Sequence, residues 1–309
     1  MSSTRNCLLV TFGCSWTYGV GSAYTTDMDK TSFESVAWDG QSCYNKSFRG
    51  ILCNKYKLDN YNLSSGGSSN QRQFRLAKKY FSSKTFLQHQ RQYKNITVLW
   101  GITSTARGEF FVDDKLQNIF YNKNDSASKI ITKKFYNHDH EVYTLAQEID
   151  HWNNYFKLLG VENHWFDTFN HHDYKQATPA IETYDHEYSE FQGIDWPNWQ
   201  EYKQGILPLK ESVKIEISDM SRFNFAQLAN DFKIDNLLYK ERCPRDLLSL
   251  MLEDHTLDTN YHASDWRNDS SRIQQAIDTQ LVNPFSFHPT HKGHKKIANL
   301  LEKVIDFDQ

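Results

Sequence analysis

Several things are scarce in this chain, and each scarcity closes a door. Its five cysteines, Cys7, Cys14, Cys43, Cys53 and Cys243, form no CxxC pair and no regular framework, which excludes a disulfide scaffold and a zinc ribbon and reads as reduced thiols. Cys7 is expected to be buried on a strand. Long apolar runs are missing. The stretch Cys7-Leu8-Leu9-Val10 is too short for a signal peptide and far too short to span a bilayer, so a soluble, cytoplasmic protein with no membrane partner is expected. Basic stripes are missing too. Net charge is -3, and the best clusters, Lys133-Lys134 and Lys292 with Lys295-Lys296, are too short to track a phosphate backbone, so no nucleic-acid partner is expected. Proline is sparse, and four of its six copies fall between His171 and Leu281. There is no internal repeat and no low-complexity tract.

Aromatic residues are abundant: 17 Tyr, 20 Phe and 8 Trp make up 15% of the chain. Some stand among polar neighbours, as in His164-Trp165-Phe166 and Trp196-Pro197-Asn198-Trp199. Such surfaces suit sugar rings, which offer an apolar face and a hydroxyl rim, although most Phe and Tyr in any chain are core.

The order of elements argues for an α/β fold. Asn6 to Phe12 is a short β-branched apolar run that stops at Gly13. A helix is expected over Ser47 to Lys57, a second strand over Asp59 to Leu63, and a helix over Gln71 to Phe86. Asn95 to Trp100 is the clearest strand, ending at Gly101. A long helix over about Glu141 to Leu159 closes at Gly160, and Val161 to Phe169 reads as a fourth strand. Short apolar strands alternating with helices imply a parallel sheet covered on both faces. From about 171 to 281 the pattern breaks down into an irregular and partly helical insertion within one domain spanning 1–309, with helical stretches at Phe223 to Phe232 and Asp246 to Glu253. Thr290 to Phe307 is an amphipathic helix with Ile297, Leu300, Leu301, Val304 and Ile305 on one side.

Ligands in open α/β sheets bind beyond the carboxyl ends of the strands. Three such ends here are Gly/Ser-rich: Gly13–Gly21, Ser64–Asn70 and Gly101–Thr105. An ester hydrolase needs an exposed nucleophile, a base within hydrogen-bond reach and amide donors aimed at the developing oxyanion. Ser15 stands in a strand-to-helix turn, Gly67 offers a bare backbone N–H, and His288 precedes Pro289, which keeps it extended just ahead of the last helix. Ser15 as an ordinary turn or capping serine is the plainer alternative, and Cys14 is a rival nucleophile. His288, His291 and His294 fall three apart, yet no cysteine or carboxylate joins them, so no metal and no cofactor is expected.

Gly13-Cys14-Ser15-Trp16-Thr17-Tyr18-Gly19 resembles the nucleophile block of the SGNH (GDSL-like) hydrolases. Asn62-Leu63-Ser64-Ser65-Gly66-Gly67-Ser68 is similar to their second block, Trp100-Gly101-Ile102-Thr103-Ser104 stands in place of the third, and His288-Pro289-Thr290 with Gly293 resembles the last. The four occur in the family's order, from position 13 to 293. The resemblance implies a flavodoxin-like three-layer α/β/α sandwich, Ser15 as nucleophile and His288 as base. It also implies an oxyanion hole from Ser15 and Gly67, and proteins with this block set are often virus-encoded. Two positions depart from it: Thr103 stands where the family has an oxyanion asparagine, and Phe285 where it has the aspartate three residues before the histidine. Thr103 or Asn70 must then complete the hole, and a backbone carbonyl, Asp265 or Asp269 must orient His288. The reaction implied is hydrolysis of an ester, O-acyl (acetyl) groups on a carbohydrate above all, by a Ser–His dyad or degenerate triad. Acyl transfer would use the same residues. The alternative is a weak or inactive scaffold with a binding or structural role.

Overall fold

The computed structural model describes residues 7–105, 107–112, 115–120, 128–129, 138–168, 251–252, 270–303 and 305–307. Strand β1 (Cys7–Phe12) begins the fold and is the hub of a four-stranded sheet. It pairs in parallel with β2 (Asp59–Asn62) on one side and with β3 (Asn95–Ile102) on the other. A later strand, Glu162–Asp167, continues the sheet beside β3, again in parallel. Among the described residues the spatial order is therefore β2, β1, β3 and then Glu162–Asp167, which is the flavodoxin-like doubly wound order.

Alternation along β1 explains the layering. Leu8, Val10 and Phe12 point to one face, where they meet Phe74, Ala77, Tyr80 and Phe81 of α5 (Asn70–Phe81). Leu9 points to the other face, toward Phe48 and Leu52 of α4 (Phe48–Tyr56). Between these lie α1 (Ser15–Tyr18), α2 (Lys30–Val36) and α3 (Gly40–Asn45), in the long excursion from β1 to α4. The first face also receives α6 (Lys84–Gln92) and, after the antiparallel hairpin β4 (Arg107–Val112) and β5 (Lys115–Phe120), the long α7 (His138–Leu159). With the strand Glu162–Asp167 named β6, the second face also receives α8 (Ser270–Asp278) and α9 (His291–Leu301).

Several details differ from expectation, each for a local reason. The helix expected over Gln71 to Phe86 is two helices, because Ser83 caps a new one: its hydroxyl accepts from the Phe86 N–H at 3.2 Å. Strand β3 runs through Gly101 to Ile102, since this glycine sits inside the ladder against Thr17 and Phe166. Cys7 is half-buried rather than buried. Trp165 and Phe166 are core, with Trp165 stacked on Trp100 at 4.5 Å, so the His164-Trp165-Phe166 stretch offers no sugar surface. The final helix is shorter than expected, with Thr290 outside it as N-cap and its hydroxyl accepting from the Gly293 N–H. Of the expected insertion, residues 171–250 and 253–269 lie outside the described residues, and with them Trp196-Pro197-Asn198-Trp199, Phe223 to Phe232, Asp265 and Asp269. Among the described residues no helix is long and apolar enough to cross a membrane.

Candidate active site

Because the sheet is parallel, β1, β2 and β3 all end at one edge, and the loops that follow them share it. The first loop turns at once into α1. Cys14 is extended and fully buried, which leaves Ser15 as the first helical residue, with an N–H that has no partner among the described residues. The helix ends after one turn at Gly19 (φ 101°), a left-handed cap that an L side chain would strain. The second loop is tied down by Asn62, whose carboxamide oxygen accepts from the Thr11 hydroxyl at 3.0 Å, the Ser64 N–H at 3.1 Å and the Ser64 hydroxyl. Ser65 then donates its N–H to the Gly13 carbonyl at 3.1 Å, which brings the two loops side by side. Gly67 lies beyond, at φ 70°, its N–H without a partner among the described residues.

His288 arrives from the far end of the chain. Its Nε2 lies 2.7 Å from Ser15 Oγ, across 273 positions of sequence. Its Nδ1 lies 3.0 Å from the hydroxyl of Ser286. The loop carrying it is braced by a bridge between Val282 and Pro289 and by the Asn283 N–H, which donates to the His288 carbonyl at 2.9 Å. Phe287, just before it, holds a left-handed φ of 57°, a conformation costly for a bulky residue and typical of sites where the fold dictates the backbone. Gly21 faces this loop. A Cβ there would stand 2.7 Å from His288 Cβ, so the histidine reaches Ser15 only because position 21 has no side chain.

Asn70 and Thr103 meet across the second and third loops. The Asn70 carboxamide oxygen accepts from the Thr103 N–H at 2.9 Å, and its Nδ2 donates to the Thr103 carbonyl at 2.8 Å. One Nδ2 hydrogen of Asn70 is left without a partner among the described residues. Gln73 braces Asn70 against β3, donating to Asn70 Oδ1 at 3.3 Å and to the Gly101 carbonyl at 3.1 Å. A cleft of about 370 Å³ opens beside Asn70, lined by Phe74, Arg107, Glu141 and Leu145; burial raises the carboxyl pKa of Glu141.

Phe285 does not face His288. Its ring packs on Phe33 at 5.7 Å and on Tyr24 at 5.9 Å. Of the other two histidines, His291 donates from Nδ1 to the Lys46 carbonyl (2.8 Å) and His294 is buried beside Phe48, so the three do not converge. Among the described residues no group of His, Cys, Asp and Glu could hold a metal ion.

Four residues that sequence reasoning passed over belong here. Ser286 and Asn283 were signalled by Asn-Pro followed by a hydroxyl two residues before the histidine, a turn signature. Arg49 gave no signal, as an arginine on an ordinary helix. Trp38, 57% exposed, lies over Gly66 so closely that a Cβ there would meet its ring at 2.2 Å, and Tyr18 is 6.3 Å from it.

No family model and no curated protein sequence matches the chain. Among solved structures it is similar to a protein proposed to be a GDSL-like lipase, from Parabacteroides merdae ATCC 43184, at 12% identity and a TM-score of 0.38, over 97% of this chain and 95% of that one. It is also similar to a protein proposed to be an SGNH hydrolase, from Slackia heliotrinireducens, at 10% identity and a TM-score of 0.32, over 98% of this chain and 100% of that one. Likeness at that level bears on neither activity nor substrate.

Proposed function

We propose that this chain is a serine hydrolase acting on esters, with Ser15 as nucleophile and His288 as general base. The observation that carries the reading is the 2.7 Å contact between Ser15 Oγ and His288 Nε2, which is the geometry proton abstraction requires. Ser15 Oγ attacks the ester carbonyl while Nε2 takes its proton. The tetrahedral oxyanion collapses, the C–O bond breaks, and the same proton goes to the leaving alkoxide. Water then repeats the sequence on the acyl-enzyme.

Two bare donors support the oxyanion role: the N–H of Ser15, on the nucleophile's own residue, and the N–H of Gly67, in the loop tied to Gly13. For the third donor the remaining Nδ2 hydrogen of Asn70 fits better than the Thr103 hydroxyl, which is shorter in reach and belongs to a fully buried residue. A removed oxyanion donor typically costs about 2.7–4 kcal/mol.

The substrate is an O-acyl, specifically O-acetyl, carbohydrate. An exposed indole is a platform for the apolar face of a pyranose, and Trp38 lies over Gly66, the residue before Gly67, with Tyr18 beside it.

The test is direct. A fluorophosphonate probe labels the wild type at Ser15 and leaves Ser15→Ala untouched. Hydrolysis of p-nitrophenyl acetate falls to background in Ser15→Ala and His288→Ala alike, since loss of either member of such a pair has cost on the order of 10⁶-fold in kcat. A wild type that neither labels nor hydrolyses sinks the proposal and leaves a binding or structural role.

A further inference from the structure

We infer that Asn283 and Ser286 are positioning residues that set the tautomer of His288 through a chain of uncharged hydrogen bonds, presenting the Nε2 lone pair to Ser15. The inference begins from donors whose identity is beyond choice. The backbone N–H groups of Phe285 and Ser286 both point at one atom of the Asn283 carboxamide, at 3.1 and 2.8 Å. An N–H can only donate, so that atom is the oxygen. The other end, Nδ2, then faces the His288 carbonyl at 2.9 Å, a donor meeting an acceptor. The orientation of Asn283 is thus determined twice over.

Ser286 follows. Its Oγ lies 3.0 Å from Asn283 Oδ1, and a carboxamide oxygen donates nothing. Donation by the Ser286 hydroxyl is the only direction open to that contact, so in the arrangement we infer its single proton is spent on Asn283. Toward His288 Nδ1, also at 3.0 Å, the hydroxyl oxygen can only accept. Nδ1 must carry the hydrogen. A neutral imidazole has one protonated nitrogen, so Nε2 is left as an acceptor, 2.7 Å from the Ser15 hydroxyl. In this way Asn283 and Ser286 perform the orienting half of what a carboxylate does in a Ser-His-Asp triad, and leave out the half that places a negative charge beside the imidazolium.

The anchor is rigid. The Asn283 N–H also reaches the His288 carbonyl, and the Val282–Pro289 bridge closes the loop behind it. Asn283 is fully buried, and a side chain so placed is not free to flip.

The kinetic part of the inference rests on the proposed hydrolase; the tautomer does not, and the experiment separates them. In the full-length chain labelled with ¹⁵N at histidine, with the His288 signals identified by their loss in His288→Gln, long-range ¹H–¹⁵N correlation reads which nitrogen carries hydrogen. The neutral wild type is expected to show Nδ1–H and an unprotonated Nε2. Ser286→Ala should shift His288 toward a mixture of tautomers, while Ser286→Thr, which keeps the hydroxyl, should retain the wild-type pattern. On p-nitrophenyl acetate, Ser286→Ala should lose about tenfold in kcat, the worth of one neutral hydrogen bond, with KM unchanged. An Nε2–H form dominating in the wild type overturns the inference, and so does a Ser286→Ala spectrum identical to it. The expected tautomer in a chain that hydrolyses no ester upholds the relay and removes the hydrolase.

Discussion

The guanidinium of Arg49 closes the far end of the helix that Ser15 begins: its Nε donates to the Thr17 carbonyl at 2.7 Å and its Nη2 to the Tyr18 carbonyl at 2.6 Å. A helix of one turn has no intrahelical partner for those carbonyls. The third donor, Nη1, reaches Asn60 Oδ1 on β2 at 2.6 Å, so a single side chain ties the turn that carries Ser15 to the neighbouring strand. No carboxylate neutralises Arg49 among the described residues, and burial lowers its pKa to about 10. The charge is tolerated because three oxygens accept from it and because the rings of Tyr18 and Tyr44 lie 6.0 and 5.7 Å away.

Arg49→Lys should therefore fail to substitute, since an ammonium is a point donor and cannot fork to three separated oxygens. Leaving two buried carbonyls unsatisfied costs about 2–4 kcal/mol, readable as a lowered urea midpoint. Esterase activity should fall further than the folded fraction does, because the turn that aims Ser15 loosens first. A variant as stable and as active as the wild type would show that the turn holds itself.

Phe285→Asp is the substitution that resemblance alone would suggest for restoring a triad. The structure gives the opposite expectation. Position 285 points into the aromatic cluster of Phe33 and Tyr24, so a carboxylate there is stranded among rings instead of meeting Nδ1. Thermal unfolding should show a loss of about 2–4 kcal/mol, in the range of large-to-small core changes, with no gain in kcat. A rise in kcat would mean that the 283–288 loop can rearrange to admit an acid.

How far the sequence disclosed this site depends on the range of each signal. Ser15, Gly67 and His288 are each marked by neighbours, a glycine-bounded turn or a following proline, and these local marks survive into the structure as loops on one edge. The order of strands was legible for the same reason. What local pattern could not show is convergence: that Asn70 would pair with the Thr103 backbone, or that Phe285 would pack among rings while the Ser286 hydroxyl approaches His288 Nδ1. Glycine misled where its meaning was tertiary. Gly101 reads as a strand terminator, yet it lies within β3 because a Cβ there would stand 2.3 Å from the Thr17 hydroxyl.

His294 supplies a pH dependence. It is fully buried, and burial first, then the charge of Arg49 and the neighbouring His291 and His288, lower its pKa from 6.5 to about 3. In the unfolded chain it titrates near 6.5. Between those values the unfolded state binds a proton that the folded state refuses, so stability is whole above pH 6.5 and declines as pH falls toward 3. The slope attributable to one such group approaches about 1.4 kcal/mol per pH unit. Carboxylates with lowered values, Asp29 and Asp39 among them, add to the decline at the acid end, so the informative window is pH 5 to 6.5. Denaturant unfolding of the wild type across that window should show the slope, and His294→Leu should flatten it. Equal slopes would place the proton uptake elsewhere.

Trp38 allows the proposed sugar recognition to be tested apart from bond cleavage. It touches neither Ser15 nor His288 in the described contacts and is more than half exposed, so Trp38→Ala should leave the fold intact and change Tm little. With p-nitrophenyl acetate, which has no pyranose to stack, kcat/KM should stay within about twofold of wild type. With a peracetylated glucose, loss of one stacking face should raise KM by about five- to tenfold at constant kcat, corresponding to roughly 1–1.5 kcal/mol. The comparison between substrates decides the matter. If both fall together, Trp38 is propping the Gly66–Gly67 loop rather than holding a sugar. If neither changes, or if a long-chain p-nitrophenyl ester is the substrate whose KM rises, the exposed indole is serving something other than a carbohydrate, and the acceptor must be sought in the cleft beside Asn70.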